Sequence, residues 1–183
     1  MNGNLNRVTG TLGVCLVVGS LLGCATPASQ VAMQPASSEL SATVRSADHL
    51  RGKVAVRNVT GGKETNPMWT SQVDAASFKQ ALQDSMSSVG YLSADPQKAT
   101  YVVDADLKAL NQPLFGFTFD VESTVQYTVE KAGVGKDLSV KAVGSATVSD
   151  AFLGVERLRV ANERSIKENI KSFLGKLVLL TKD

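Results

Sequence analysis

The sequence predicts an α+β domain: a two-layer sandwich in which an antiparallel four-stranded sheet carries two helices on one face, in the order β-α-β-β-β-α. Three observations predict it. Three consecutive stretches between residues 103 and 148 alternate apolar and polar side chains with a period of two, as strands with one buried and one wet face do. One stretch before them and one after repeat apolar residues at three- and four-residue steps, as helices with one buried stripe do. The link between the last two alternating stretches holds Gly133 and Gly135, which suits a hairpin turn.

Taken in order, Val54-Ala55-Val56 is a short apolar run of strand type that ends in Thr60-Gly61-Gly62. A polar loop follows with Glu64, Asn66, Pro67 and the single tryptophan, Trp69. Phe78, Ala81, Leu82, Met86 and Val89 then share one helical face, with Asp74 placed as N-cap and Gly90 at the C′ position. In the next strand Val103, Ala105, Leu107 and Ala109 alternate with Asp104, Asp106 and Lys108. The strongest alternation follows, with Phe117, Phe119, Val121, Val125, Tyr127 and Val129 on the inner face. The last strand places Leu138, Val140, Ala142, Gly144, Ala146 and Val148 inward. Ile166, Ile170, Phe173, Leu174 and Leu177 form the closing helical stripe, with Arg164, Lys167, Glu168 and Lys171 outside.

Composition limits the chemistry. The cysteines are Cys15 and Cys24, both near the N-terminus, which removes thiolate zinc and internal disulfides from the domain. His49 is the one histidine, in a Ser/Ala-rich stretch, and reads as a solvated linker residue with no partner for a catalytic triad. Removing residues 1–23 takes away one of 19 basic side chains, Arg7, and none of the 17 acidic ones. A balance this close to neutral gives no footprint for nucleic acid.

Met1 to Arg7 is polar with one positive charge, and Val8 to Gly23 is apolar, uncharged and rich in small residues. The run is shorter than the ~20 residues that span a bilayer, so it reads as a secretory signal peptide. Its end, Leu21-Leu22-Gly23-Cys24, resembles the lipobox of bacterial lipoproteins. That resemblance implies cleavage before Cys24, a thioether-linked diacylglycerol on its sulfur, and an N-acyl chain on its freed amine. Two or three chains hold firmly where one does not. Ala25 and Thr26 follow, without the Asp that favours inner-membrane retention in enteric bacteria. The expected location is therefore the outer membrane, with the domain facing the periplasm. Residues 25–50 are rich in small polar residues, with two prolines, and read as a flexible tether spanning roughly 25–30 Å. The expected organisation is a signal peptide over 1–23, acylated cysteine and tether over 24–50, and an α+β domain over 51–183.

With this layout, the chain resembles a family of small proteobacterial lipoproteins. The likeness covers the lipobox and most of 52–180, and rests on residues 60–69, 78–85, Gln112-Pro-Leu-Phe-Gly116 and 149–158. Members are mostly of unknown function, and some carry the name UDP-N-acetylglucosamine acyltransferase. That activity resembles a left-handed hexapeptide-repeat helix with a catalytic histidine. This chain departs from both features, with no six-residue repeat and its one histidine in the 25–50 segment. Element order and anchor also resemble, in topology and setting only, the lipoprotein subunit of the lipopolysaccharide-assembly machinery.

Several residues stand out as candidate contacts. Trp69, on a Gly/Asn/Pro loop, either meets a partner or packs under the first helix. Leu114 and Phe115, within Leu114-Phe115-Gly116-Phe117, either dock a partner or lipid chain or fold over the end of the core. Asp104, Asp106, Asp120 and Glu122 lie on wet sheet faces, either as a cation site or as a solvated surface. Residues 149–159, with Asp150, Glu156, Arg157 and Arg159, read as a salt-bridged helix start. Gly133-Val-Gly-Lys136 lacks the pattern of a phosphate-binding loop and reads as a turn. The expectation is a non-enzymatic, membrane-anchored lipoprotein, without metal or free cofactor, that binds an envelope protein or other envelope component in assembly or transport. The alternative is a carrier of a small apolar ligand or lipid.

Overall fold

The computed structural model describes residues 25–66 and 70–182. Four strands, β1 (Val54–Gly61), β2 (Tyr101–Asn111), β3 (Thr118–Lys131) and β4 (Val134–Thr147), form one sheet in the order β1-β2-β3-β4. Helices α2 (Ala75–Ser88) and α3 (Gly154–Leu180) cover one face, and α1 (Ala42–Arg45) is a single turn ahead of the sheet. The α+β two-layer sandwich is as the alternation and the helical stripes require.

One feature departs from expectation. β1 runs parallel to β2, with Val54 opposite Tyr101 and Val56 opposite Val103, so the sheet is mixed rather than antiparallel throughout. The reason is the connection: α2 carries the chain back to the end where β1 began, and a strand entered from there must run parallel. The other pairs are antiparallel, with Val103 opposite Val129 and Val125 opposite Val140. The β3–β4 turn is the two residues Ala132 and Gly133, at φ 51° and 80°, the left-handed pair of a type I′ hairpin.

Local signals hold at α2. Asp74 caps it by accepting from the Ser77 backbone N–H at 2.8 Å, and Gly90 follows at φ 74°. In β2 the register shifts between Leu107 and Ala109. After that bulge Leu110, not Ala109, packs against the core.

The core lies between sheet and helices. Phe78, Leu82 and Met86 of α2 and Ile166, Ile170 and Phe173 of α3 are fully buried against Val103, Val125 and Tyr127. Tyr127 stacks on Phe173 with centroids 3.8 Å apart and planes 8° from parallel. Helix and sheet approach closely at Gly144, where an added Cβ would lie 2.1 Å from the Ser165 nitrogen and 2.5 Å from the Ala161 oxygen. A buried polar network crosses the same layer. Asn169 donates to the carbonyl of Val140 at 3.0 Å and to Ser123 Oγ at 3.2 Å, and accepts from the Tyr127 hydroxyl at 2.9 Å.

Residues 25–50 are not a free tether. Ala28, Met33, Leu40, Val44 and Leu50 are buried in the main core, and the segment is fixed along α3. Ser29 donates from its backbone to Glu163 at 2.8 Å, Lys167 donates to Glu39 at 3.0 Å, and His49 lies 3.0 Å from the Thr181 hydroxyl. His49 is thus half-buried against the end of α3 rather than a solvated linker residue. The buried Tyr91 hydroxyl donates to the Val44 carbonyl, and burial pushes its ionisation up to about 12, so it remains a donor through the physiological range. Composition misled here because the apolar residues are few and widely spaced, giving no period to detect. They are enough to join the segment to the main core.

Candidate functional site

Thr118 opens β3 opposite Thr147, the last residue of β4, so the loops 112–117 and 148–153 emerge at one end of the sheet, where α3 also begins. Sequence periodicity places Phe117 in the inward set, but it precedes the strand and turns outward. Leu114, Phe115, Phe117 and Phe152 are 93%, 85%, 83% and 89% exposed, and Leu153 is half-exposed. Of the two readings of Leu114 and Phe115, closure over the end of the core does not hold, since both side chains stand in solvent. Phe119, the next inward residue, does that instead, in a small second core with Val121, Ala146, Leu158 and Ala161.

Arg157 holds the two loops together. From the first turn of α3 its Nη2 donates to the Gly116 carbonyl at 2.9 Å, and its Nη1 to the carbonyls of Ala151 and Phe152 at 3.0 and 3.2 Å. The guanidinium lies 4.8 Å from the Phe119 ring centre, and the residue is buried. A planar five-donor fork can serve carbonyls on two separate loops, which a single ammonium cannot. The expected salt-bridged helix start is present around it. Arg159 pairs with Glu156 at 2.9 Å and Glu163 at 2.6 Å, and Arg164 with Asp150 at 2.6 Å. That Arg164 hydrogen bond, with one from the Thr147 backbone N–H, holds the Asp150 carboxyl well below the usual carboxylate range. The helix starts at Gly154, so Glu156 to Arg159 lie inside it and only 149–153 is linker.

The start of the described chain joins this end through Ser71. Its hydroxyl donates to the Thr26 carbonyl at 2.8 Å, and its own carbonyl accepts from Gln112 and Asn162 at 3.0 Å each. Gln112 is also bonded to Asn162 at 2.8 Å. Thr26 Oγ1 donates to Glu156 at 3.2 Å. Of the residues that fix the loops, Arg157 is expected from sequence only in a salt-bridged helix start and Gln112 only within a stretch that carries the family likeness, while Ser71 and Asn162 are not singled out. A signal existed for one of them, since Asn162 stands one helical step before Ile166 and so on the apolar stripe of α3.

Cys24 and Trp69, the predicted acylation site and the second predicted contact residue, lie outside the described residues. The carboxylates Asp104, Asp106, Asp120 and Glu122 do not converge. Asp104 accepts from Arg57 Nε and Nη2, and that bonding lowers its ionisation. Asp106 pairs with Lys108, Asp120 with the Ser145 hydroxyl, and Glu122 with Lys141. Among the described residues no group of three or more His, Cys, Asp or Glu is placed to hold a metal ion. A cavity of about 230 Å³ opens at the opposite end of the sheet, lined by Tyr101, Val129, Val134, Leu180, Lys131 and Lys136. No helix among the described residues is long and apolar enough to cross a membrane.

No protein-family model and no curated protein matches the sequence. Solved structures do. A DUF330 protein from Xanthomonas campestris aligns at a TM-score of 0.50 and 7% identity, over 74% of this chain and 90% of that one. A Caulobacter crescentus protein provisionally named a lipoprotein aligns at 0.42 and 12%, over 56% of this chain and 79% of its own. A hypothetical protein from Chlamydia trachomatis aligns at 0.43 and 14%, over 72% and 96%. At these identities the Xanthomonas likeness concerns the fold, and no residue role follows from it.

Proposed function

We propose that this chain is a lipid-anchored envelope lipoprotein whose domain works without catalysis, presenting the loop end around Phe115 to an envelope component in an assembly or transport role. The observation that carries the reading is the group of exposed apolar side chains on two loops held in place by a buried arginine. Apolar side chains grouped in water on a fixed scaffold commonly mark a contact with another molecule. Leu21-Leu22-Gly23-Cys24 supports the anchor, with diacylglycerol and an N-acyl chain on Cys24, and the residues after it support sorting to the outer membrane with the domain in the periplasm. His49 is engaged with Thr181, and the described carboxylates on the sheet face are spread among separate partners, which fits a binding role better than a reaction.

The carrier alternative has two openings in its favour, the cavity of about 230 Å³ beside Tyr101 and Leu180 and a cleft of about 850 Å³ between Gly61-Gly62-Lys63, the outer end of β2 and Leu114. The cavity falls below the ~300–1,000 Å³ of ordinary ligand pockets. The cleft is lined largely by polar groups such as Lys63, Gln72, Asp106, Asn111 and Gln112, which suit an apolar ligand poorly, and the interior between the layers is filled by Tyr127, Phe173 and their neighbours.

Intact mass and membrane fractionation of the native protein beside Cys24→Ser test the anchor. The expected result is acyl mass and outer-membrane partition in the native form only. Photocrosslinking from position 115, with position 134 at the far hairpin as control, tests the surface. Adducts from 115 and none from 134 support it, and equal or absent labelling at both removes it.

A further inference from the structure

The path of residues 25–50 decides where an anchor on Cys24 would hold the domain. Contacts along this segment and along α3 come in the same order: Thr26 with Glu156, Ser29 with Glu163, Glu39 with Lys167, His49 with Thr181. The segment is a strap that runs beside the helix from its first turn to its C-cap. From Glu163 back to Glu156 the helix advances about 10 Å, while the strap goes back from Ser29 to Thr26. Followed toward its start, the chain therefore heads for the end that carries the exposed loops. Ser71 confirms the neighbourhood, since it bonds both Thr26 and Gln112, the residue that begins the apolar loop. Only two peptide links separate Thr26 from Cys24, a reach of at most ~7 Å.

We infer that the domain seats directly on the bilayer, loop end down, with Leu114, Phe115, Phe117 and Phe152 entering the interfacial layer. The inference rests on the reading of Cys24 as the acylated residue. It replaces a domain held clear of the headgroups by one held against them. Fatty chains on Cys24 put a bilayer beside these side chains whatever else is present, and the local chemistry suits it. Residues 112–117 include no charged group. Asp150 is paired with Arg164, Glu156 with Arg159, and both terminal nitrogens of the buried Arg157 donate to carbonyls. The charges on the two loops and the first turn of α3 thus enter the interface already partnered, while each buried apolar side chain adds to the hold of the acyl chains.

The test uses the acylated full chain carrying Phe115→Cys or Val134→Cys. Acylation consumes the Cys24 thiol, so the introduced cysteine is the one that reacts with a polarity-sensitive nitrobenzoxadiazole label. The labelled proteins are reconstituted into phosphatidylethanolamine/phosphatidylglycerol vesicles with or without nitroxide-bearing lipid. The expected result is a blue shift and a loss of emission to the nitroxide for the label at 115, with neither at 134. Emission from 115 that matches 134 overturns the seating. So does a label at 115 that stays wet in protein-free vesicles and becomes shielded only in native membranes, which would put a protein on the loops. Intact mass measured on the same sample separates the failures. Acyl mass present with a wet label sinks the seating alone, whereas acyl mass absent sinks the anchor and the seating together.

Discussion

The Arg157 guanidinium reaches the Gly116 carbonyl across 41 positions of sequence at 2.9 Å, and with its other terminal nitrogen it reaches Ala151 and Phe152. The loop before β3 and the loop after β4 are thereby tied to one helical turn. Arg157→Met keeps the stem and removes the donors. Three carbonyls then lose their partner, for an expected loss of ~1–3 kcal/mol. The measurements are chemical denaturation, and hydrogen exchange confined to 112–117 and 148–153. Arg157→Lys should recover only part, because an ammonium on a flexible stem cannot serve both loops. Equal stability of all three proteins would sink the idea.

How much of this was legible in the sequence follows from what periodicity can carry. β3 and the stripe of α3 were readable because Phe119, Val121, Val125, Tyr127 and Val129, and Ile166, Ile170 and Phe173, repeat with the period of their element. The direction of β1 was not, since side-chain alternation is the same in parallel and antiparallel pairs; only the crossover through α2 decides it. Phe117 fitted the alternation yet lies outside the strand, because a pattern does not announce where the ladder stops. Leu114 and Phe115 were readable as odd residues for a link, but Arg157 was not readable as their clamp. Its partners are backbone carbonyls, which leave no trace in composition.

Gly144 marks the place where α3 lies on β4. A methyl group there meets the Ser165 nitrogen at 2.1 Å and the Ala161 oxygen at 2.5 Å, both backbone atoms of a helix that cannot shift locally. Gly144→Ala should cost about 1–3 kcal/mol or more through displacement of α3. Thermal unfolding reads it, with Gly135→Ala on the same strand as the comparison, where the nearest atom is the flexible Thr128 methyl at 3.3 Å.

Asn169 is bonded on both sides, to Tyr127 and to Ser123 and Val140. Asn169→Ala strands a buried hydroxyl and a buried carbonyl and should destabilise by ~2–4 kcal/mol. Tyr127→Phe should cost about 1 kcal/mol, since the ring keeps its stacking on Phe173. The double variant should cost less than the two added together, because the second change removes a group the first has already orphaned. Strict additivity in urea denaturation would contradict the network.

Acid should loosen the β4–α3 junction. Hydrogen bonds from Arg164 and from the Thr147 backbone lower the ionisation of Asp150 in the folded state, so folding favours its charged form. The resulting stability is fully present above the ordinary aspartate value of about 3.9 and is lost as pH falls through and below it. Asp104, held down by Arg57, acts in the same direction. Melting temperature followed from neutral pH downward should therefore fall more steeply in the native chain than in Asp150→Asn. Parallel curves would remove Asp150 from the account.

The strap gives the sharpest contrast with a tether. If residues 25–50 were only a spacer, a chain starting at Arg51 would fold as well as one starting at Ala25. Instead Met33, Leu40, Val44 and Leu50 are buried in one core with residues of α2 and α3. Each contributes roughly 1.5–3 kcal/mol by leaving water, and their removal uncovers apolar surface on both helices. Set against a total stability of about 5–15 kcal/mol for a domain, such a truncation should leave a marginal or unfolded protein. The milder Met33→Ser and Leu50→Ser should each lower the urea midpoint clearly, whereas Val31→Ser, at a position 68% exposed in the same segment, should not. A truncated chain that melts like the longer one would restore the tether and withdraw the reason for placing the bilayer at the loop end.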